Sequence, residues 1–160
     1  MPEMSRGADV PGISQNIQAI HHVSLPVSDL EKSVRFYSEI LGLKQIDRPP
    51  FDFPGAWFQL GSNQLHLIKN DHSTFREGKG INARDIHFAI RVESFRDALL
   101  ALKEMGYKEL ATEEEASDAF KSMRVNRRAT AGFPQIYILD PDRNIIEINA
   151  AVLDLDDVHS

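Results

Sequence analysis

Four side chains of the types that hold a divalent metal lie in four short apolar stretches. They are His22 in "HHVSLPV", His66 in "NQLHLIK", His87 in "DIHFAIRV" and Glu147 in "NIIEINA". Imidazole and carboxylate are ordinary ligands of first-row divalent ions. Each stretch alternates in polarity as a strand does, so adjacent side chains point to opposite faces. Val23, Leu25 and Val27 define one face of the first stretch, and His22 has the other parity. Leu65 and Leu67 oppose His66, Ile86, Phe88, Ile90 and Val92 oppose His87, and Ile146 and Ile148 oppose Glu147. A lone strand histidine or glutamate is usually a solvated or hydrogen-bonded surface group. Four of them with one shared parity weaken that explanation. His21 has the parity of the apolar face, so it is expected to cap or fray at the strand edge. Changing it to Gln is expected to leave metal binding nearly intact.

The elements that must position these residues follow one order used twice. After the first strand, Ser28 and Glu31 read as a capping box opening a helix with Leu30, Val34, Tyr37 and Leu41 on one side. Gly42 stands where a C-terminal cap belongs. "LKQIDR", "AWFQL" and "NQLHLIK" then read as three strands. In the second half "DIHFAIRV" is followed by a helix capped by Ser94 and carrying Phe95, Leu99, Leu102 and Met105. Gly106 ends it, and "YKEL", "PQIYIL" and "NIIEINA" follow. Offsets support the repeat: a valine lies five residues after both His22 and His87, and the glycines fall twenty and nineteen residues after them. The copies diverge at residues 111–132, a longer insert in the second. The predicted class is α+β, two tandem βαβββ modules whose curled mixed sheets form a cup. Module one spans 18–70 and module two 84–150, in a single domain over 18–150. A polar linker lies near 71–83. Residues 1–17 read as a flexible arm and 151–160 as an acidic tail.

Composition narrows the function. The 160 residues carry a net charge of −6 with no basic stripe interleaved with aromatics, which argues against nucleic acid. No run of about 18 apolar residues is present to span a membrane. The N-terminus has no apolar core of a secretory signal, so a cytoplasmic location is expected. Without cysteines, disulfides and thiolate metal sites are excluded, while His and carboxylate sites stay open.

The stretches "HHVSLPVSDLEKSVRFYSEILGL", "IHFAIRV" and "ILDPDRNIIEI" resemble the glyoxalase, or vicinal oxygen chelate, superfamily over residues 18–150. The carrying motifs are His-x7-Leu-x5-Phe-Tyr and DPD-x4-Glu. The resemblance implies a cup around one divalent ion held by His22, His66, His87 and Glu147. The ion would be Zn, Ni, Mn, Co or Fe, since this donor set admits each. It further implies modules paired across two chains, hence a homodimer with sites at the interface. His66 occupies the place where glyoxalase I has a metal-binding glutamate. Glu147 is then the remaining carboxylate for proton transfer, with His66 as ligand or second base. The implied chemistry is a lyase or isomerase step through a metal-stabilised enediolate, on a small oxygenated substrate that is a thiol conjugate in glyoxalase I. Asn70 matches a glutathione-anchoring position, whereas Pro26 replaces the expected Arg. Other members of the superfamily supply the alternatives: an extradiol-type dioxygenase, a fosfomycin-type thiol transferase, or a non-enzymatic drug-binding protein. The last generally lacks the metal ligands.

Substrate contacts are expected from the aromatic loop "RPPFDFPGAWFQL", through Phe51, Phe53 and Trp57 as a lid over an apolar group. The competing expectation puts Trp57 or Phe58 in the core and the other two at a subunit contact. Among the basic residues Lys121, Arg124, Arg127 and Arg128, Arg124 is the candidate for an anionic substrate group. These residues follow an acidic run and have a simpler role as its solvated partners.

Overall fold

The computed structural model describes residues 10–72, 76–111, 121–128 and 130–155. The described part of the expected N-terminal arm includes one helical turn, α1 (Ile13–Asn16), with Ile13 and Ile17 exposed. Strand β1 (His22–Val27) leads into α2 (Leu30–Arg35), which continues as a π-helical segment, Phe36–Ile40. The α2 cap lies one residue later than the sequence suggests. Asp29, not Ser28, accepts from the Lys32 N–H at 3.1 Å. Ser28 instead gives both its N–H and its hydroxyl to the Asp142 carboxylate. A charged acceptor makes the stronger hydrogen bond, and it takes Ser28 away from the helix end. Gly42 closes this segment at φ +66°, in the left-handed region where a Cβ is disfavoured.

Strands β2 (Gln45–Ile46), β3 (Gly55–Leu60) and β4 (Asn63–Lys69) complete a mixed sheet in the order β1-β4-β3-β2. β1 runs parallel to β4, and β3 is antiparallel to both β4 and β2. The second half repeats this plan with β5 (His87–Val92), α3 (Phe95–Glu104), β6 (Lys108–Glu109), β8 (Gln135–Leu139) and β9 (Ile145–Ala150) around an added strand, β7 (Ser122–Asn126). Its order is β5-β9-β8-β7-β6. β7 falls inside the expected insert, of which residues 112–120 and 129 lie outside the described set. The alternation Met123-Arg124-Val125 is a strand pattern within that polar stretch. Ser94 caps α3 as expected, accepting from the Asp97 N–H at 3.1 Å. The C-terminal stretch strengthens that end: Asp154 accepts from the Ser94 hydroxyl at 2.6 Å and the Arg96 N–H at 2.8 Å. Ile86 departs from the parity reading. It is 81% exposed, because β5 begins only at His87 and Ile86 lies outside the ladder.

Apolar faces of both sheets and the helices meet in one core. Val27, Leu65, Leu67 and Phe58 enter it from module one, and Phe95, Leu99, Ile146 and Ile148 from module two. Two polar ties reinforce the junction. One is Ser28–Asp142, and the other is the buried Tyr37 hydroxyl donating to Asp140 at 2.7 Å. Asp140 also accepts from Asn144 twice and from the Asp142 N–H, so its burial is matched by donors. Tyr37→Phe removes one donor from a buried carboxylate and should cost about 1–3 kcal/mol. Urea unfolding at pH 7 reads this loss directly, while metal stoichiometry should not change. The linker is clasped by the buried Arg76, which reaches Asp85 and the carbonyls of Gly80 and Arg143.

Candidate metal centre

Register places the four expected ligands in equivalent positions of the two sheets. In module one, Ser24, His66 and Trp57 form a row across β1, β4 and β3, with His22 two residues upstream of Ser24. In module two, Ala89, Glu147 and Tyr137 form the matching row across β5, β9 and β8, with His87 two residues upstream of Ala89. The repeat inferred from offsets is therefore a repeat of site geometry. Alternation keeps all four on the sheet face away from the core.

The module-one pair is a stack. His66 is buried and lies between the Trp57 indole, 4.0 Å away and nearly parallel, and the His22 ring, also 4.0 Å away. Burial, then the neighbouring His22, His21 and Arg48, hold the His66 pKa below its usual value. The neutral imidazole thus favoured is the form that ligates metal. Its Nε2 donates to Gln64 Oε1 at 2.8 Å, leaving Nδ1 with the lone pair. His21 precedes β1, and its Nδ1 lies 2.9 Å from His22 Nδ1. Being outside the ladder, it can turn onto the His22 face despite its parity.

In module two, His87 Nδ1 donates to the Asp85 carbonyl at 2.8 Å, so Nε2 carries the lone pair. That nitrogen lies 3.6 Å from Glu147 Oε1. Tetrahedral coordination with bonds of about 2.1 Å separates two donors by about 3.4 Å, so the pair is spaced for chelation. Glu147 is buried and accepts from Gln135 at 3.0 Å, Tyr137 at 2.9 Å and Asn149. Three donors fix the plane of the carboxylate. Burial, then the bond to Glu147, push the Tyr137 hydroxyl well above its ordinary pKa, so it stays a donor. His66 and His87 thus each have one nitrogen oriented by a partner and one available, and His22 is held by its contact with His21. The residues fit a divalent cation.

Within one chain these ligands form two pairs. Among the described residues no group of three or more His, Asp or Glu gathers into a metal-binding cluster. Alternation also separates the aromatic candidates. Phe58 is fully buried in the core, whereas Trp57 stacks on His66. Phe51 and Phe53 stack on each other, and Phe51 approaches Trp57 at 6.1 Å. Arg48 holds this loop, lying over both phenyl rings and donating to the Phe53 carbonyl at 2.8 Å. Gly55 is needed beside it, because a Cβ there would meet the Leu67 carbonyl oxygen at 2.5 Å. Asn70 is engaged by the turn after β4, accepting from the His72 N–H at 3.0 Å. Arg124 pairs in register with Tyr137 and so belongs to the Glu147 row, while Arg127 binds Glu109 and Lys121 donates to the Met105 carbonyl. The sequence reading missed His21, Gln64, Gln135, Tyr137 and Asn149, which contact the candidate ligands. All except His21 have the ligand parity of their strands, which was the available signal.

Comparison with known proteins agrees with this fold. The sequence model of the Glyoxalase/Bleomycin resistance protein/Dioxygenase superfamily matches residues 19–148. The chain is 27% identical over 137 residues to Glyoxylase I 4 of Arabidopsis thaliana, covering 83% of this chain and 71% of that protein. Among solved structures it resembles a putative glyoxalase family protein from Bacillus anthracis, with TM-score 0.60 and 23% identity over 84% of this chain and 95% of the other. It also resembles the fosfomycin resistance protein FosX from Listeria monocytogenes, with TM-score 0.58 and 19% identity over 84% and 93%. Among the described residues no helix is long and apolar enough to cross a membrane. With paired modules and a family match spanning both, the chain belongs to the Glyoxalase/Bleomycin resistance protein/Dioxygenase superfamily.

Proposed function

We propose that this protein is a divalent-metal-dependent lyase or isomerase acting on a small oxygenated substrate, and that it works as a homodimer. His22 and His66 of one copy, with His87 and Glu147 of the other, would hold one ion. The observation that carries this reading is the presence of two equivalent half-sites, each pre-oriented and each too small to hold a metal alone. A chain with two such halves completes a site by pairing with a second chain, and a two-fold arrangement completes both.

A bound cation would polarise a substrate carbonyl and offset the negative charge that develops on its oxygen. The protein residues supply the rest. Glu147 accepts a proton from the hydroxyl-bearing carbon beside that carbonyl and returns it to the carbonyl carbon, while the hydroxyl proton passes to the former carbonyl oxygen, which isomerises the substrate. Gln135, Tyr137 and Asn149 hold the carboxylate in place throughout. His66, kept neutral between Trp57 and His22, acts as a ligand rather than a second base. Trp57, with Phe51 and Phe53 beyond it, shields the reacting carbons from water.

The test is a metal-stripped preparation reloaded separately with Zn, Ni, Mn, Co or Fe. Each form is assayed for α-oxoaldehyde isomerisation, with and without a thiol, and for catechol cleavage. Oxygen-independent isomerisation with at least one metal is the expected result. Oxygen-dependent catechol cleavage by the Fe form would overturn it.

A further inference from the structure

The two halves of the site differ one row further along the sheets. In module one that row is Pro26, Ile68 and Gly55, which is apolar. In module two it is Arg91, Asn149, Gln135 and Asn126, which is polar throughout. The polar row is one connected network. Asn126 donates to Gln135 at 3.1 Å, and Gln135 and Asn149 both donate to Glu147. Arg91 Nε donates to Asn149 Oδ1 at 2.6 Å. Asn149 and Gln135 are buried, so the network is a floor, and Arg91 is its exposed end. The Arg91 guanidinium is braced over the Phe133 ring at 4.8 Å, and its terminal nitrogens have no protein partner among the described residues.

We propose that Arg91 is the receptor for a carboxylate on the substrate, and that it sets specificity for an anionic substrate. This rests on the proposed function, whose substrate class it names. A guanidinium fixed through Nε and by a ring face presents its outer N–H groups as a fork for a carboxylate. Rows lie about 7 Å apart along a strand, so the carboxylate falls on the order of 10 Å from the chelating oxygens. Apolar parts of the substrate between them face the Trp57 and Ile68 side of the opposing module. The ligand is therefore bipolar: oxygens that chelate, a flat or apolar middle, and a terminal carboxylate.

A matched pair of probes tests this, benzohydroxamate and 4-carboxybenzohydroxamate, which differ only in the distal carboxylate. With the metal-loaded protein, the carboxylated probe should bind about tenfold more tightly, in the range of one charge-assisted pair. Arg91→Gln should bring the affinity ratio close to one, and Arg91→Lys should retain part of it. An equal ratio in the native protein and Arg91→Gln would overturn the proposal. Metal-stripped protein separates this from failure of the metal reading. There the Arg91 Nε–H chemical shift should respond to benzoate but not benzamide. A benzoate-specific response supports the carboxylate site even if neither hydroxamate needs metal. Identical responses to benzoate and benzamide would overturn it.

Discussion

Glu147→Gln should lower turnover by about 10²–10⁴-fold while metal affinity falls about tenfold or less. An amide oxygen still offers a neutral ligand at the same place, but an amide cannot accept the proton from carbon. The surroundings sharpen the expectation. In the native protein all three neighbours donate to the carboxylate, and Asn149 is held in its orientation by Arg91. The substituted side chain brings an NH₂ group into a site built only of donors, so one hydrogen bond is lost and one donor is left facing another. That conflict should add a stability loss of about 1–3 kcal/mol, which urea unfolding would show. Metal analysis together with kcat separates the two roles. Full turnover by the variant would remove Glu147 as the proton-transferring group.

The faces carrying the candidate ligands were legible because strand periodicity is two, and a helix-packed sheet forces its apolar parity inward. That logic held wherever the residue lay inside a ladder, as with Val23, Leu65, Phe88 and Ile146. It failed at ladder ends. Ile86 is exposed and His21 turns onto its neighbour's face, because neither is constrained by strand pairing. Ser28 had the right type and spacing for a cap, but a partner far along the chain, Asp142, binds it more strongly. Local spacing cannot register such a competitor. β7 was hidden because its short apolar alternation lies in a polar, charged stretch, and its pairing with β8 comes from tertiary structure. The aromatic loop was ambiguous for a related reason. Trp57 and Phe58 are adjacent, and only the register of β3 against β4 decides which faces His66. Parity also says nothing of which sheets confront each other. Four ligands on one kind of face could close a site within a chain or between chains.

The measurement that bears most directly on this account is metal content in a forced heterodimer. One chain carries His22→Ala and His66→Ala, the other His87→Ala and Glu147→Ala, each with its own affinity tag. Either variant alone lacks half of every site and should bind no metal in a homodimer. In the heterodimer, one interface joins both damaged halves and the other joins both intact halves. Tandem purification through both tags should therefore give about half the wild-type metal content per dimer, with a matching recovery of thermal stability by binding linkage. A heterodimer as metal-free as its parents would show that each site needs all four ligands from one chain, and would contradict the account.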